Sequence, residues 1–149
     1  MCIRDRPWVY VATAEAHDDE MAARIAEHQA RREAGWQTIE APHELAEAIR
    51  AAPKGAVVLV DCLTLWLSNI MHGPFDIDRT VGQLEAALHT RENATVLVSN
   101  EVGLGLVPET PLGRAFRDAQ GRLNQRIAAI ASRVVLVVAG QPLIVKGST

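Results

Sequence analysis

The residues with the clearest chemical potential lie on one predicted helix near the N-terminus. His28 has Arg24 one turn before it and Arg31 and Arg32 about one turn after it, so these side chains share a helix face. Neighbouring cations disfavour imidazolium, neutral imidazole is the nucleophilic form, and guanidinium groups bind phosphate oxygens. The spacing therefore fits attack on a nucleotide α-phosphate. A solvated helix face with an incidental histidine explains the same spacing more simply.

A second candidate is Asp61, which closes the apolar run of residues 56–60. A carboxylate at the end of a buried strand can hold Mg²⁺ beside the phosphates of a nucleotide. The alternative is a helix cap, because a helix is predicted to begin at Leu63. Asp61 is thus a candidate magnesium ligand, with both interpretations open.

Polar residues follow three predicted strands, at residues 13–15, 61–62 and 99–101. Ligands of open parallel sheets bind outside the carboxyl ends of the strands. Emergence of each strand into solvent would also explain polar residues there. Three such ends on one edge favour a binding site over three unrelated coincidences.

The remaining candidates give weaker signals. His17, His43, His72 and His89 are scattered among predicted caps and solvent faces, and none has a zinc-ligand spacing with the cysteines. Trp36 and Trp66 are predicted to be core or interface residues rather than stacking platforms. The loop of residues 100–109 is long for a strand-to-helix connection, as functional loops tend to be, and its aliphatic residues face outward unless something covers them.

The predicted elements that position these residues alternate along the chain. Strands are expected at residues 8–13, 35–40, 56–60, 95–98 and 134–138, the last a central strand, with an edge strand at 143–145. Helices are expected at 18–32, 43–52, 63–71, 78–91 and 111–132, and Asp18 can cap the first of them. Apolar strands without alternation, separated by helices, indicate a mostly parallel sheet with helices on both faces. The predicted fold class is α/β.

Length and composition restrict the classes of protein. The 149 residues suit one domain, assigned to residues 8–149 after a tail at 1–7. The net charge of -3 argues against binding nucleic acid through bulk electrostatics. No apolar run is long enough for a membrane helix and no signal peptide is recognisable. Cys62 reads as a buried thiol, so a reducing cytoplasm is expected.

Several ordered motifs together resemble one enzyme family. Arg24, Ile25, His28 and Arg32 satisfy the pattern Arg-Ile-x-x-His-x-x-x-Arg, and further matches lie at residues 9–15, 18–23, 35–40, 60–64, 98–109, 116–118 and 121–125. The chain resembles, over residues 8–147, the bifunctional adenosylcobinamide kinase/adenosylcobinamide-phosphate guanylyltransferase family of cobalamin assembly. The length and order of these motifs make chance a poor explanation.

The resemblance implies two activities and assigns site residues. One activity phosphorylates adenosylcobinamide with a nucleoside triphosphate; the other transfers GMP from GTP to adenosylcobinamide phosphate through a GMP-histidine intermediate, giving adenosylcobinamide-GDP. It places the guanylylated histidine at His28. Nucleotide contacts are implied at Thr13, Ala14, Glu15, Gln29, Ala30, Arg31, Arg32, Glu40 and Asp61. GTP, ATP and Mg²⁺ are the expected cofactors, and a homotrimer of RecA-like subunits is the expected assembly.

One departure from the family concerns phosphate binding. A family member begins with a strand and a Gly-x-x-x-x-Gly-Lys-Ser/Thr loop, which holds the β- and γ-phosphates. No such loop precedes residue 8, and residues 1–6 do not match the family. The expectation is an N-terminally incomplete reading of a gene, lacking the first strand of a P-loop NTPase fold. The alternatives are a catalytically silent nucleotide-binding fragment or subunit, and an unrelated α/β nucleoside kinase or nucleotidyltransferase.

Overall fold

The computed structural model describes residues 7–32 and 35–148, and residues 1–6 of the tail predicted at 1–7 lie outside them. The chain divides into two compact units, residues 1–100 and 101–149, which are described separately. The single domain predicted over residues 8–149 stays a prediction.

The first unit contains a parallel four-stranded sheet in the order β2-β1-β3-β4. Its elements, in chain order, are β1 (Trp8–Ala12), α1 (Asp19–Ala30), β2 (Trp36–Glu40), α2 (Leu45–Ala51), β3 (Val57–Asp61), α3 (Leu63–Met71), α4 (Ile77–His89) and β4 (Thr95–Val98). Every strand lies within two residues of its predicted bounds. The α/β class and the parallel sheet are therefore confirmed.

The apolar strands form the core of this unit, chiefly through one face of the sheet. Val9, Val11, Val58 and Val60 are fully buried on one face of the sheet. Helices α2, α3 and α4 each bury an apolar stripe, and Trp66 on α3 is the largest fully buried side chain. The prediction that Trp66 is a core residue is confirmed, as is the burial of the free Cys62 thiol.

Helix α1 differs from the other helices of this unit because none of its residues is buried. Asp18 caps it by accepting a hydrogen bond from the Met21 amide at 2.7 Å, as predicted, and Asp19 and Glu20 lie at the positive end of its dipole. Met21 and Ile25 are only half-buried. The helix therefore depends on its caps and on local ion pairs more than on packing.

The second unit contains a short 3₁₀ helix at Val102–Leu104, the long α5 (Pro111–Ile130) and a hairpin of β5 (Val134–Val138) and β6 (Gln141–Lys146). Lys146 on β6 donates hydrogen bonds to the carbonyls of Ala128 and Ala129 near the end of α5. In the loop after β4, Leu104 and Leu106 are 81% and 96% exposed. The prediction that these aliphatic side chains face outward is confirmed.

The expectation that residues 134–138 form a central strand of the main sheet is wrong for the part of the chain that the structure describes. There β5 pairs only with β6, and the pairing is antiparallel. Ala139 and Gly140 connect the two strands, and both have positive φ, 50° and 74°. Two residues of positive φ form the turn that matches the twist of a tight hairpin, so the chain reverses at once instead of crossing over.

Candidate functional site

The polar residues that follow the strands were predicted to lie at one edge of the sheet, and the structure places them there. Strands β1, β3 and β4 are parallel neighbours, with Ala12 opposite Asp61 and Asp61 opposite Val98. The segments that follow these three strands therefore leave the sheet on the same side. Strand β2 adds Glu40, which is opposite Ala12. The structure thus brings together residues 13–15, Glu40 and Asp61 at one edge.

Thr13 ties two of these strand ends together. It is fully buried; its hydroxyl donates to the Cys62 carbonyl at 2.7 Å and accepts from the Cys62 amide at 2.8 Å. Its own amide donates to the Asp61 carbonyl, and its carbonyl accepts from Asn69 Nδ2 at 2.8 Å. Every polar group of Thr13 therefore has an intramolecular partner. The nucleotide contact predicted at Thr13 stays a prediction.

Asp61 has a partner that the sequence analysis missed. The Tyr10 hydroxyl donates a hydrogen bond of 2.5 Å to Asp61 Oδ2. Both residues lie on the same sheet face, since Tyr10 is opposite Leu59, two residues before Asp61. Burial, followed by the hydrogen bond to the Asp61 carboxylate, raises the pKa of Tyr10 above its ordinary value. The hydroxyl is therefore a donor throughout the physiological pH range.

The ring of Tyr10 also supports Arg32. The guanidinium carbon lies 3.7 Å from the centre of the Tyr10 ring, a cation–π arrangement, and Arg32 Nη1 donates to the Thr38 hydroxyl at 2.6 Å. Arg32 Nε is buried and has no hydrogen-bond partner among the described residues. The segment that follows α1 is thereby anchored to the same sheet face that carries Asp61.

A cleft of about 470 Å³ opens beside this anchor and is lined by Gln29, Arg32, Trp36, Thr38 and Glu40. Three of these are predicted nucleotide contacts: Gln29, Arg32 and Glu40. Trp36 was expected in a core or interface, yet it lines the cleft, with its ring 5.1 Å from that of Trp8. Because β2 is an edge strand of the sheet, one face of Trp36 is open, and the expectation of a core or interface position stays a prediction.

His28 lies in the last turn of α1 and is exposed. The flanking arginines were predicted to act on His28 and on phosphate, but the structure pairs them along the helix: Arg24 with Glu20 at 2.6 Å, and Arg31 with Glu27. These pairs are exposed, so each is worth only about 0.2–1 kcal/mol. A phosphate can therefore displace the carboxylates at small cost, and the predicted roles of His28, Ala30 and Arg31 stay predictions.

Glu15 lies between two imidazoles. Its carboxylate oxygens are 3.2 Å from His17 Nε2 and 3.5 Å from His43 Nε2. His43 had been placed among caps and solvent faces, but its ring stacks on Phe75 at 5.3 Å and is only 32% exposed. The signal that could have found it is its position, three residues after β2, at the edge already singled out.

The magnesium contact predicted at Asp61 stays a prediction. Within the described residues, no group of three or more His, Cys, Asp or Glu side chains could hold a metal ion. Mg²⁺ commonly takes one or two carboxylates and completes its shell with water and phosphate oxygens. Because Tyr10 occupies Oδ2 of Asp61, Oδ1 is the oxygen left for such a contact.

Thr64 and Asn100 complete the edge next to Asp61. The Thr64 hydroxyl donates to Asn100 Oδ1 at 3.0 Å and accepts from the Asn100 amide at 2.9 Å. This exchange fastens the segment after β4 to the first turn of α3. Across the described residues, no helix combines the length and the apolar character needed to cross a membrane.

A parallel α/β sheet with charged residues at its carboxyl edge and a cleft along one face of β2 defines a protein of the ligand-binding open α/β class. The family described as "Cobinamide kinase / cobinamide phosphate guanyltransferase" matches residues 2–145, so the match begins before residue 8, contrary to the expectation that residues 1–6 do not match. The chain belongs to this family.

Individual relatives agree with this assignment. The chain is 48% identical over 142 residues to the bifunctional adenosylcobalamin biosynthesis protein CobP of Pseudomonas aeruginosa, covering 93% of this chain and 82% of that one. It is 43% identical over 156 residues to CobU of Salmonella typhimurium, a protein of the same description, covering 93% and 86%. The Escherichia coli CobU is 40% identical over 148 residues, covering 89% and 82%. The family resemblance and the P-loop NTPase-like fold class are confirmed.

Proposed function

We propose that this chain is an adenosylcobinamide kinase and adenosylcobinamide-phosphate guanylyltransferase of cobalamin biosynthesis, and that His28 carries the GMP. Family membership over residues 2–145 supports the two activities. The observation that carries the site assignment is the anchoring of Arg32, four residues after His28, on the ring of Tyr10, whose hydroxyl holds Asp61. The nucleophile and the carboxylate thus belong to one connected part of the molecule.

In the transfer, an imidazole nitrogen of His28 attacks the α-phosphorus of GTP. A P–N bond forms, the bond from the α-phosphorus to the bridging oxygen breaks, and pyrophosphate leaves. A phosphate oxygen of adenosylcobinamide phosphate then attacks the same phosphorus, which breaks the P–N bond, regenerates His28 and gives adenosylcobinamide-GDP. Neutral imidazole is required because imidazolium has no free electron pair.

The other residues bind and orient the nucleotide. Gln29, Arg32 and Glu40 face the cleft beside Trp36, while Arg31 is displaced from Glu27 to bind a phosphate. Asp61 holds a ribose hydroxyl or, through Oδ1, the Mg²⁺ that accompanies the nucleotide. When bound, Mg²⁺ neutralises phosphate charge. ATP or GTP serves the kinase step, and the enzyme acts in the cytoplasm as a homotrimer; light scattering after gel filtration tests the trimer.

Labelled GTP tests the covalent step. Incubation with α-labelled GTP and Mg²⁺ is expected to leave an acid-labile, base-stable label on the protein, whereas γ-labelled GTP leaves none. Adding adenosylcobinamide phosphate should remove the label and produce labelled adenosylcobinamide-GDP. His28→Ala should abolish labelling, and His89→Ala, at the exposed end of α4, serves as the matched control. Tight GTP binding without any label would instead favour a silent nucleotide-binding subunit.

A further inference from the structure

Tyr10 makes two different contacts, one through its hydroxyl and one through its ring. The hydroxyl donates to Asp61 Oδ2 at 2.5 Å, and the ring lies under the Arg32 guanidinium at 3.7 Å. The hydroxyl contact joins β1 to β3, while the ring contact joins β1 to the segment after α1. Tyr10 thus contacts both the carboxylate and the arginine.

The surroundings of Tyr10 fix the ring in place. The Trp36 ring meets it edge-on, with centroids 6.2 Å apart, and Trp36 in turn packs on Trp8. Arg32 is held a second time by the Thr38 hydroxyl on β2. A ring enclosed in this way presents its hydroxyl in one direction, so the Asp61 carboxylate is held in one orientation rather than rotating freely.

Tyr10 touches none of the reacting groups that the proposed function names, and its hydroxyl is already used by Asp61. We infer that Tyr10 is a positioning residue: its hydroxyl orients Asp61 and its ring orients Arg32 for contact with the same bound nucleotide. This inference rests on the proposed function, in which Asp61 and Arg32 are nucleotide contacts. It adds Tyr10, which was not among the predicted site residues, and assigns separate roles to its hydroxyl and its ring.

The two halves can be removed one at a time. Tyr10→Phe deletes the hydroxyl and keeps the ring, whereas Tyr10→Leu deletes both. The probe is GTP with Mg²⁺, and the measured quantity is its dissociation constant. Tyr10→Phe is expected to weaken binding about fivefold to tenfold, less than the full effect of one hydrogen bond to a charged group, because Tyr10 does not itself touch the nucleotide. Tyr10→Leu should weaken binding further. Thr80→Val, which removes a hydroxyl that bonds only within α4, is the control.

Two double-mutant cycles separate positioning from a general structural effect. In an Asp61→Asn background, Tyr10→Phe should change GTP binding less than about twofold, because the oriented carboxylate is gone. In an Arg32→Met background, the Tyr10→Leu and Tyr10→Phe variants should bind GTP equally, because the guanidinium that the ring orients is gone. Equal effects of Tyr10→Phe with and without the Asp61 carboxylate would overturn the inference, as would unchanged GTP binding by Tyr10→Phe itself.

Failure of the proposed function gives a different pattern. If Asp61→Asn binds GTP like the unmodified chain, the assignment of Asp61 fails and the inference about Tyr10 falls with it. Labelling of His28 by GTP decides the covalent mechanism independently of either result. Far-ultraviolet circular dichroism at the assay temperature verifies that each variant is folded. If Tyr10→Leu does not fold, the Tyr10→Phe cycle decides the role of the hydroxyl alone.

Discussion

Thr13 and Cys62 exchange two hydrogen bonds through a single hydroxyl, which donates to the Cys62 carbonyl at 2.7 Å and accepts from the Cys62 amide at 2.8 Å. The two residues follow β1 and β3 directly, at the edge where the site residues emerge. Because Thr13 is fully buried, no water can replace either bond. The spacing between the segments carrying Glu15 and Asp61 therefore depends on this hydroxyl.

Replacing Thr13 with valine should destabilise the fold. The substitution keeps the shape but leaves the buried Cys62 amide without a partner, while the Cys62 carbonyl keeps only its bond from the Trp66 amide. The unpaired amide costs about 1–3 kcal/mol in the free energy of unfolding. Thr13→Ser retains the hydroxyl and should lose less. Urea denaturation of both variants measures the difference. Equal stability of Thr13→Val and the unmodified chain would contradict the role given to the hydroxyl.

The ionisation of Tyr10 can be followed directly because the chain contains one tyrosine. Burial and the hydrogen bond to Asp61 raise the pKa of Tyr10, so the phenolate absorbance should appear well above pH ~10, the ordinary midpoint of tyrosine. In denaturant the midpoint should return to about 10. A folded chain that ionises near pH ~10 would show that the contact with Asp61 does not form in solution.

The same raised pKa predicts a loss of stability in alkali. Since the folded state holds the Tyr10 proton more tightly than the unfolded state, its contribution is complete below pH ~10 and is lost as the pH rises towards the folded pKa. The free energy of unfolding should therefore fall with pH in that alkaline window. Tyr10→Phe should remove this part of the fall, as urea denaturation at several pH values would reveal.

Arg91 should contribute strongly to stability without taking part in the site. Its guanidinium donates to the carbonyls of Ile49, Ala52 and Ala56, at 3.2, 3.4 and 2.7 Å. These bonds satisfy carbonyl groups at the end of α2 and just before β3. Arg91→Met should lower the free energy of unfolding by about 1–3 kcal/mol, because those carbonyls lose a charged donor.

Two comparisons make the Arg91 result specific. Arg91→Lys keeps the charge but cannot reach all three carbonyls, so its stability should lie between those of the methionine variant and the unmodified chain. Arg79→Met, an exposed arginine on α4, is the control and should change stability little. Comparable losses from Arg79→Met and Arg91→Met would contradict the account.

The sequence predicted those features that depend on local pattern. Unbroken apolar strands such as residues 57–60 are typical of a parallel sheet, so the parallel sheet and its shared carboxyl edge were predicted. The N-cap at Asp18 could be predicted from its side chain and from its position before an acidic first turn of the helix. The hairpin after Val138 was missed because an Ala-Gly pair is a weak turn signal, and the positive φ of Ala139 is unusual for alanine.

The contacts within the site could not be read from spacing. Tyr10 and Asp61 meet only because β1 and β3 pair in a register that places Ala12 opposite Asp61, and a shift of one residue would point them to opposite faces. His43 reaches Glu15 for a similar reason, since Asn69 donates to the carbonyls of both Thr13 and Pro42 and holds the two segments together. Such pairings are properties of the assembled sheet.

The central claim is that His28 forms a bond to GMP, and peptide mapping tests it most directly. After incubation with GTP and Mg²⁺, trypsin digestion under mildly alkaline conditions should release residues 25–31, a peptide bounded by Arg24 and Arg31, which contains His28 as its only histidine. The account predicts that this peptide carries GMP and that adenosylcobinamide phosphate removes it. Guanylyl transfer that proceeds with GMP on another residue, or undiminished in His28→Ala, would contradict it.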